Sequence, residues 1–380
     1  MVADIDALTP SMAMWRQFTQ WIGGVGIIVM FLAVLPRLRV GGRQALFNSE
    51  MPGPELPLAT TIREAARRFV TLYVAITALE TLMLAALGWT GVDPRMTFYN
   101  ATAHSFATVS TAGFSPESRS MEPFAPATQW VTVVFMLVAG TNFALLFAGL
   151  AGWKPRLIAR DEEVRVGVVL LACAALVVVI GLVSAEVLTG EAAVRHGVFN
   201  TVSMMTTTGF ASADFNEWSA LPILVLFGVV MLGTSAGSTS GSIKLIRHIT
   251  IAKMLRREID QTLHPEVVAP LRVNGAIVDE RALRAIIVFV FLYLGVCVGG
   301  AVALMLDSTL HDIDVSAFQS LTAAATTLGG AGPSLGFAGP MGSFEPFSDL
   351  SELVLTALMY LGRLEIVPVL VLFTASHWRA

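Results

Sequence analysis

The chain has 380 residues, of which 55% are hydrophobic and only 14% are charged. Soluble domains carry about 25% charged residues, so this composition, with a mean hydropathy of +0.71, excludes an ordinary soluble protein and favours one built for lipid. The formal net charge of −4 identifies no class of partner, and two cysteines are too few for a disulfide framework.

Seven apolar stretches approach the roughly 20 residues that a helix needs to cross a bilayer. They lie at about 14–36, 66–90, 128–150, 166–188, 220–244, 282–306 and 351–375. Three shorter amphipathic segments, at about 95–112, 193–208 and 313–328, each end in a turn rich in Thr or Gly. A short helix and such a turn between two spans are typical of a re-entrant pore loop, which is tolerated at membrane depth only where it is buried in protein or lines water.

Lysine and arginine predict the orientation, because cytoplasmic loops carry the excess of these residues. Nineteen of the 24 lie in one set of loops, whereas Arg16, Arg95, Arg119 and Arg195 lie in the opposite set. The basic loops are therefore predicted to be cytoplasmic, and the pore loops to enter from outside. Seven spans then put the N-terminus of the chain outside and its C-terminus in the cytoplasm.

The spans and pore loops form three units of span, pore loop and span, preceded by the single span at 14–36. Three units do not close a ring around an axis, whereas a fourth would close it. We therefore predict an all-α polytopic membrane protein with a pseudo-fourfold, potassium-channel-like architecture. Residues 1–58 would hold the second helix of an incomplete first repeat, and residues 59–160, 161–275 and 276–380 would form the second, third and fourth repeats.

The three turns contain the residue types that a cation filter needs. They read Thr108-Val109-Ser110-Thr111-Ala112-Gly113-Phe114, Met205-Thr206-Thr207-Thr208-Gly209-Phe210 and Thr327-Leu328-Gly329-Gly330-Ala331-Gly332-Pro333. In potassium channels, rings of backbone carbonyls replace the hydration shell of the ion, and glycine permits the backbone angles that this requires. One such turn could equally be an ordinary connection between membrane helices, but three in equivalent places favour a filter.

Further motifs accompany these turns. They are Trp15-Arg16-Gln17-Phe18-Thr19-Gln20-Trp21-Ile22-Gly23-Gly24-Val25-Gly26, Asn48-Ser49-Glu50-Met51-Pro52-Gly53-Pro54, Ala236-Gly237-Ser238-Thr239-Ser240-Gly241-Ser242-Ile243-Lys244 and Gly362-Arg363-Leu364-Glu365. With them the chain resembles the Trk/Ktr/HKT superfamily of potassium transporters, and most closely its Trk-type (TrkH-like) membrane subunits. The resemblance implies four repeats around one pore and a homodimer in the bacterial cytoplasmic (inner) membrane. It also implies a cytosolic nucleotide-binding (TrkA-like) partner that controls opening, potassium as the substrate ion, no cofactor and no nucleic-acid partner.

By this resemblance, twelve residues carry over as the potassium filter. They are Ser110, Thr111, Ala112 and Gly113 in the first turn, Thr206, Thr207, Thr208 and Gly209 in the second, and Gly329, Gly330, Ala331 and Gly332 in the third. Either Gly329 or Gly332 could take the place of the filter glycine in the third turn. Gly332 is preferred, because the following Pro333-Ser334-Leu335-Gly336 resembles the fourth turn of the family. The chain departs from the family pattern at Ala112 and Gly330, although both positions supply backbone carbonyls.

The start of the chain is a larger departure from the family pattern. Family members begin with an outer helix pair and a first filter turn, whereas this chain opens near the start of the second helix of that repeat. The resemblance therefore implies that the first helix and pore loop are lacking here. The choice of potassium over sodium depends partly on that turn.

The span at 220–244 is interrupted by nine residues, of which three are Gly and five are Ser or Thr. Such a composition does not favour a stable helix. A flexible gate below the filter is favoured, and a close helix contact made by small residues is the alternative. A phosphate-binding loop is disfavoured, because no strand precedes it and Lys244 comes late. The candidate gate residues are Gly233, Ser235, Gly237, Ser238, Thr239, Ser240, Gly241, Lys244 and Arg363.

Three charged residues lie in the interior of predicted spans, away from their ends, where such side chains usually face a cavity or a partner. Arg363 is predicted to donate to the carbonyls of the interrupted span and to repel a passing cation. Glu365 does not share a helix face with Arg363, so it is predicted to pair with Lys244 or to form a structural ion pair. Glu80 is predicted to have a structural, hydrogen-bonded role.

The remaining titratable residues show no catalytic pattern. The six histidines lack metal-ligand spacing, and no cofactor signature is present, which disfavours an enzyme. His104 and Asn200, each nine residues before a filter glycine, are predicted to pack the pore helices. Gated potassium uptake is the favoured function. Ion-coupled symport with sodium or a proton, for which only Glu80 loosely qualifies as a coupling carboxylate, and a non-conducting remnant are the alternatives.

Overall fold

The structure, a computed structural model, describes residues 5–33, 62–150, 154–264, 266, 270–364 and 366–374. Its longer helices follow the apolar stretches of the sequence. In chain order they are α1 Pro10–Ala33, α2 Ile62–Trp89, α3 Phe98–Val109, α4 Pro126–Ala139, α5 Phe143–Leu150, α6 Pro155–Arg160, α7 Glu162–Ser184, α8 Gly190–Met205, α9 Ala220–Leu232, α10 Leu245–Leu263, α11 Glu280–Leu310, α12 Ala317–Gly329, α13 Asp349–Leu364 and α14 Ile366–Leu372. Short 3-10 turns lie at Phe215–Glu217 and Gly336–Ala338.

The same sequence of elements occurs three times. A long helix (α2, α7 or α11) is followed by a short helix (α3, α8 or α12), a turn, and a further helix (α4, α9 or α13). Each long helix packs along the short helix of its own unit. The short helices have 12, 16 and 13 residues, about 18–24 Å at 1.5 Å per residue, so they are too short to cross a bilayer. Helix α1 packs against α2 and α3.

Three described helices are long and apolar enough to cross a membrane by themselves. They are Ala66–Trp89, Glu162–Ser184 and Glu280–Leu310, and the bent pair α4 and α5 would make a fourth span. Helix α9 is apolar but has only 13 residues. Their length and composition make the chain a multi-pass membrane protein. The count of seven spans stays a prediction.

The stretch at 128–150 is not the single straight span that was expected. It consists of two helices that meet at an angle of 103°. Asn142 explains the break, because its Oδ1 accepts from the backbone N–H groups of Ala144 and Leu145 at 2.8 and 3.1 Å and so caps the start of α5. The stretch at 220–244 is also interrupted, at the end of α9.

A small hairpin departs from the all-α expectation. Strand β1 (Arg272–Val273) pairs antiparallel with β2 (Ala276–Ile277). The connection is Asn274-Gly275, and both residues have positive φ, 48° and 82°. An Asn-Gly pair in this conformation matches the twist of the strands that it joins.

Candidate ion-conduction site

The three turns (first 110–113, second 206–209, third 329–332) share one backbone path. In each of them, the second and fourth residues adopt positive φ. The values are 51° for Thr111 and 65° for Gly113, 55° for Thr207 and 86° for Gly209, and 76° for Gly330 and 92° for Gly332. Two non-glycine residues in the left-handed region are uncommon enough to mark a functional or strained backbone.

Hydrogen bonds repeat in the same register. The N–H groups of the third and fourth turn residues both donate to one carbonyl in the preceding short helix. The pairs are Ala112 and Gly113 to Ala107 O at 2.8 and 3.3 Å, Thr208 and Gly209 to Ser203 O at 2.9 and 3.4 Å, and Ala331 and Gly332 to Thr326 O at 2.8 and 3.3 Å. This register makes Gly332 equivalent to Gly113 and Gly209, whereas Gly329 is equivalent to Ser110.

The backbone carbonyl oxygens of the turn residues take no part in these hydrogen bonds. No donor among the described residues reaches the backbone oxygens of eight turn residues. They are Thr111, Ala112, Gly113, Thr207, Thr208, Gly209, Gly330 and Ala331. Backbone oxygens without a protein donor, at equivalent places in three turns, are available as acceptors for another group.

Adjacent turns meet through one repeated contact. A Cβ built on Gly113 would lie 1.9 Å from Thr208 O, and a Cβ built on Gly209 would lie 1.9 Å from Ala331 O. The second turn therefore contacts the first turn in the same way as the third contacts the second. Such a repeated contact is expected for units arranged around a common axis. The same position on Gly332 faces open space in the described part of the chain.

Side chains of the short helices hold the residues that leave each turn. His104 Nε2 lies 3.0 Å from Ser115 Oγ, and Asn200 Nδ2 donates to Ser212 Oγ at 3.1 Å. In the third unit, Thr322 Oγ1 and Ser334 Oγ are 3.0 Å apart. His104 and Asn200 were expected to pack the short helices, and they also fix the exits of the turns. Thr322 was missed, since Thr is an unremarkable residue in a polar helix.

Residues 233–244, called here the serine-rich loop, lie directly against all three units. Thr239 Oγ1 donates to Val109 O, at the end of α3, at 3.1 Å. The N–H of Gly241 donates to Thr207 Oγ1 at 2.7 Å, and a Cβ on Gly241 would lie 2.1 Å from Gly329 O. The loop therefore covers the side of the turns at which the short helices end.

Two basic side chains hold this loop by its carbonyl groups. Arg363 Nη1 donates to Thr239 O, and Lys244 Nζ donates to Ser240 O, both at 2.8 Å. A cavity separates the loop from the fourth unit and is lined by both cations together with Tyr293. Both are among the candidate gate residues of the sequence, and Arg363 was singled out because it is a charge at membrane depth. Glu365, which was expected to pair with Lys244, lies outside the described residues.

Two further anchors were missed by the sequence. Glu163 is 5% exposed, and its Oε1 accepts from the N–H groups of Ala236 and Ile246, each at 3.0 Å. Asn142 Nδ2 donates to Ala236 O at 2.7 Å. Glu163 follows the N-cap Asp161, so it reads as an ordinary acid in a first helical turn. The polar Thr141-Asn142 pair within an apolar span was the signal for Asn142.

Backbone bonds join the loop to the break between α4 and α5. The N–H of Ser235 donates to Gly140 O at 3.2 Å, and the N–H of Phe143 donates to Gly237 O at 3.1 Å. Thr239 Oγ1 also lies 3.2 Å from Ala139 O. The bend of 103° is thus what brings the second unit's interrupted helix against the serine-rich loop. Among the described residues, no group of three or more His, Cys, Asp or Glu could hold a metal ion.

Comparison with known proteins defines the class of this molecule. The family model for TrkH, described as a cation transport protein, matches residues 1–379. The chain therefore belongs to the TrkH family of cation transport proteins, which makes it a transporter and not an enzyme. The resemblance to Trk-type membrane subunits is confirmed.

Individual relatives agree with this assignment. The chain is 34% identical to the Trk system potassium uptake protein TrkH of Vibrio parahaemolyticus, over 100% of this chain and 76% of that protein. It is also 34% identical to TrkH of Escherichia coli strain K12, over 99% of this chain and 75% of that protein. The crystal structure of the potassium transporter TrkH from Vibrio parahaemolyticus superimposes with a TM-score of 0.85 at 31% identity, covering 99% of this chain and 75% of that one.

Proposed function

We propose that the chain conducts potassium through a pore lined by the three turns and closed by the serine-rich loop. The free carbonyls of the turns are the observation that carries this function. A dehydrated cation needs several fixed oxygens in place of its water shell, and ladders of backbone carbonyls supply them. Potassium is the proposed ion because the relatives are potassium uptake proteins by name.

The equivalent residues of the turns form layers along the pore. One layer consists of the carbonyls of Thr111, Thr207 and Gly330, the next of Ala112, Thr208 and Ala331, and a third of Gly113, Gly209 and Gly332. The C-terminal ends of the short helices point at these layers, and their partial negative charge favours a cation. Ser110, Thr206 and Gly329 stand between the helix ends and the first layer.

We propose that the protein lies in the bacterial cytoplasmic (inner) membrane with its C-terminus inside and the described N-terminal helix beginning outside. The excess of Lys and Arg on one set of loops supports this orientation. The turns then face outward and the serine-rich loop lies on the cytoplasmic side of them. Uptake would be driven by the membrane potential, which contributes about 2.3 kcal/mol per charge per 100 mV.

The serine-rich loop is proposed to be the gate, in its closed position. It occupies the cytoplasmic exit of the turns, and Arg363 ties it there through Thr239 O at 2.8 Å. The guanidinium also adds a fixed positive charge that opposes a cation leaving the filter. Both effects favour a closed state. Opening requires the loop to leave Val109, Thr207 and the region of Gly329.

A cytosolic partner is proposed to move the gate. The loop continues without interruption into α10, whose basic residues include Lys253, Arg256 and Arg257. Arg257 Nη1 pairs with Glu280 Oε1 at 2.6 Å, which joins α10 to the start of α11 and raises the pKa of the Arg257 guanidinium. A nucleotide-binding, TrkA-like subunit that displaces α10 would draw out residues 233–244. Assembly as a homodimer is proposed from the family resemblance.

Ion flux in liposomes tests the filter assignment. The protein expressed from its complete reading frame is compared with Gly113→Ser and Gly209→Ser, and uptake of potassium, rubidium and sodium is measured. Each substitution places a side chain on a carbonyl 1.9 Å away. Discrimination against sodium should fall about tenfold, since overpacking costs about 1–3 kcal/mol.

Gly228→Ser is the matched control, because Gly228 lies in α9 with open space around its Cα. It should keep the selectivity of the unaltered protein. Unchanged selectivity in both filter variants would contradict the assignment. Potassium uptake that requires a sodium or proton gradient would instead identify a symporter.

A further inference from the structure

Two buried polar side chains behind the first turn make no regular hydrogen bond to any of the described residues. Glu80 in α2 and Gln17 in α1 are both 0% exposed. All four of their side-chain polar atoms, Oε1 and Oε2 of Glu80 and Oε1 and Nε2 of Gln17, lack a hydrogen bond within the described part of the chain. Each such group is costly to leave unsatisfied, and four together are not a packing accident.

The register of α1 and α2 places these two residues opposite each other. The indole N–H of Trp21 donates to Thr77 Oγ1 at 3.1 Å, and the hydroxyl of Tyr73 donates to Trp21 O at 3.1 Å. The helices run antiparallel. Trp21 of α1 contacts Thr77 of α2, whereas Gly24, which comes later in α1, contacts Tyr73, which comes earlier in α2. Residues three or four apart share a helix face. Gln17, one turn before Trp21, and Glu80, one turn beyond Thr77, are therefore at one level.

Gln17 and Glu80 lie immediately behind the first turn. Thr108 lies beside the carboxyl group of Glu80, and its hydroxyl donates to His104 O at 2.8 Å. Thr108 is the penultimate residue of α3, two residues before Ser110. On the same face of α1, a Cβ on Gly24 would lie 3.0 Å from the Cβ of Ser110. The pair thus backs the short helix at the point where it becomes the turn.

The described helices that pack around Glu80 offer it no free cation for an ion pair. Helices α4 and α5, which pack against α2, contain no Asp, Glu, Lys, Arg or His. On α1, the guanidinium of Arg16 lies over the ring of Phe114 at 4.2 Å and bonds to Ser115 O. On α3, both ring nitrogens of His104 are within 3.0 Å of Asn100 O and Ser115 Oγ.

We propose that Gln17, Glu80 and Thr108 form an internal water-binding site, in which Glu80 is a protonated acid and bound water bridges it to the amide of Gln17. A protonated carboxylic acid has an O–H donor and a carbonyl acceptor, and the amide of Gln17 has an NH2 donor and a carbonyl acceptor. Water with two to four such partners is the usual guest of a buried polar site. The site positions the end of α3 and so supports the first turn from behind.

Infrared spectroscopy tests the site independently of transport. The unaltered protein in lipid should show the C=O stretch of a protonated carboxylic acid, and Glu80→Gln should remove that band. Gln17→Met, nearly equal in volume, should shift the band, because Glu80 loses the water-mediated link to the amide. Absence of the band, or a band that Gln17→Met leaves in place, would overturn the proposal.

Ion selectivity tests the positioning role, and this part rests on the proposed filter. Glu80→Leu should lower the potassium-to-sodium uptake ratio about fivefold, the effect of leaving one buried polar group unsatisfied. Glu80→Gln, which can still bind water, should restore part of the ratio. Leu79→Ala, at an exposed site of α2, is the control for expression and insertion.

Infrared spectroscopy and ion selectivity test different parts of the proposal. A correct infrared result with unchanged selectivity in Glu80→Leu would overturn the positioning role and leave the water site intact. If Glu80→Leu does not fold, the selectivity of Gln17→Met decides the same point. Potassium uptake that follows a sodium or proton gradient, and loses that dependence in both Glu80→Leu and Glu80→Gln, would make Glu80 an ion-coupling residue and overturn the water-binding assignment.

Discussion

The three turns and the serine-rich loop are built from the same small residues but are held in different ways. Each turn is held by its own chain, since its N–H groups donate to a carbonyl five or six residues earlier. The loop is held mainly by other elements, through Asn142, Glu163, Arg363 and Thr207. A turn therefore cannot change without unwinding its short helix, whereas the loop can be released by breaking side-chain contacts.

Two glycines make this difference testable, because both abut a carbonyl of the same turn. A Cβ on Gly209 would lie 1.9 Å from Ala331 O, and a Cβ on Gly241 would lie 2.1 Å from Gly329 O. The first contact joins two turns, and we expect it to persist when the proposed gate opens. The second joins the loop to a turn and exists only while the proposed gate is closed.

The largest effects are expected from alanine at these two positions. Gly209→Ala should lower the discrimination against sodium, whereas Gly241→Ala should raise uptake without the cytosolic partner and leave selectivity unchanged. Either change should amount to about tenfold or more, from overpacking of about 1–3 kcal/mol. Rubidium uptake with sodium as competitor measures both. Reduced selectivity in Gly241→Ala would show that the loop is a part of the filter.

Arg363→Ala should have the next largest effect. Loss of its hydrogen bond to Thr239 O, at 2.8 Å, removes a charge-assisted contact of about 1.5–3 kcal/mol from the closed state. Uptake in the absence of the partner should rise about tenfold, and Arg363→Lys should give an intermediate value. Deletion within residues 235–240 should act in the same direction. A variant that reaches the membrane with unchanged partner-free uptake would remove Arg363 from the gate.

Local features of the fold were predictable from the sequence, whereas the register of one turn was predicted only as a preference for Gly332. The short helices and their turns follow from amphipathic segments that end in Thr and Gly, because turn conformation depends on a few adjacent residues. The third turn was ambiguous, since Gly329, Gly330 and Gly332 are all glycines. Its register follows from the bonds to Thr326 O at 2.8 and 3.3 Å, which the sequence does not reveal.

Most contacts between units could not be predicted. The contact of Arg363 with the interrupted span is the exception, because a charge inside an apolar span is conspicuous. Glu163 and Asn142 were missed, because their importance depends on a partner 73 or 94 residues away along the chain. The bend at Asn142 was missed for a related reason, since the hydropathy of residues 128–150 is that of a continuous span.

Replacing Glu163 should loosen the loop less than replacing Arg363. Glu163→Ala leaves the N–H groups of Ala236 and Ile246 without an acceptor, so partner-free uptake should rise about fivefold. Glu163→Gln retains an acceptor oxygen, so its partner-free uptake should stay close to that of the unaltered protein. Asn142→Ala should resemble Glu163→Ala, although it also removes the cap of α5. Equal uptake in Glu163→Ala and the unaltered protein would show that the loop does not depend on this anchor.

Thr239→Val should give the smallest change, and it isolates one hydroxyl group. The Thr239 side chain contacts Val109 O at 3.1 Å and Ala139 O at 3.2 Å, so it joins the loop to the end of a short helix and to the break in α4. Valine has nearly the same shape and cannot donate, and a neutral hydrogen bond contributes about 0.5–1.5 kcal/mol. Partner-free uptake should rise about threefold, and Thr239→Ser should not differ from the unaltered protein. Because the backbone carbonyl of Thr239 still accepts from Arg363 in the valine variant, Thr239→Val combined with Arg363→Ala should exceed either single change. If partner-free uptake in the double variant does not exceed that in Arg363→Ala, the Thr239 hydroxyl does not contribute to closure. The loop is then not held against Val109 by this hydroxyl.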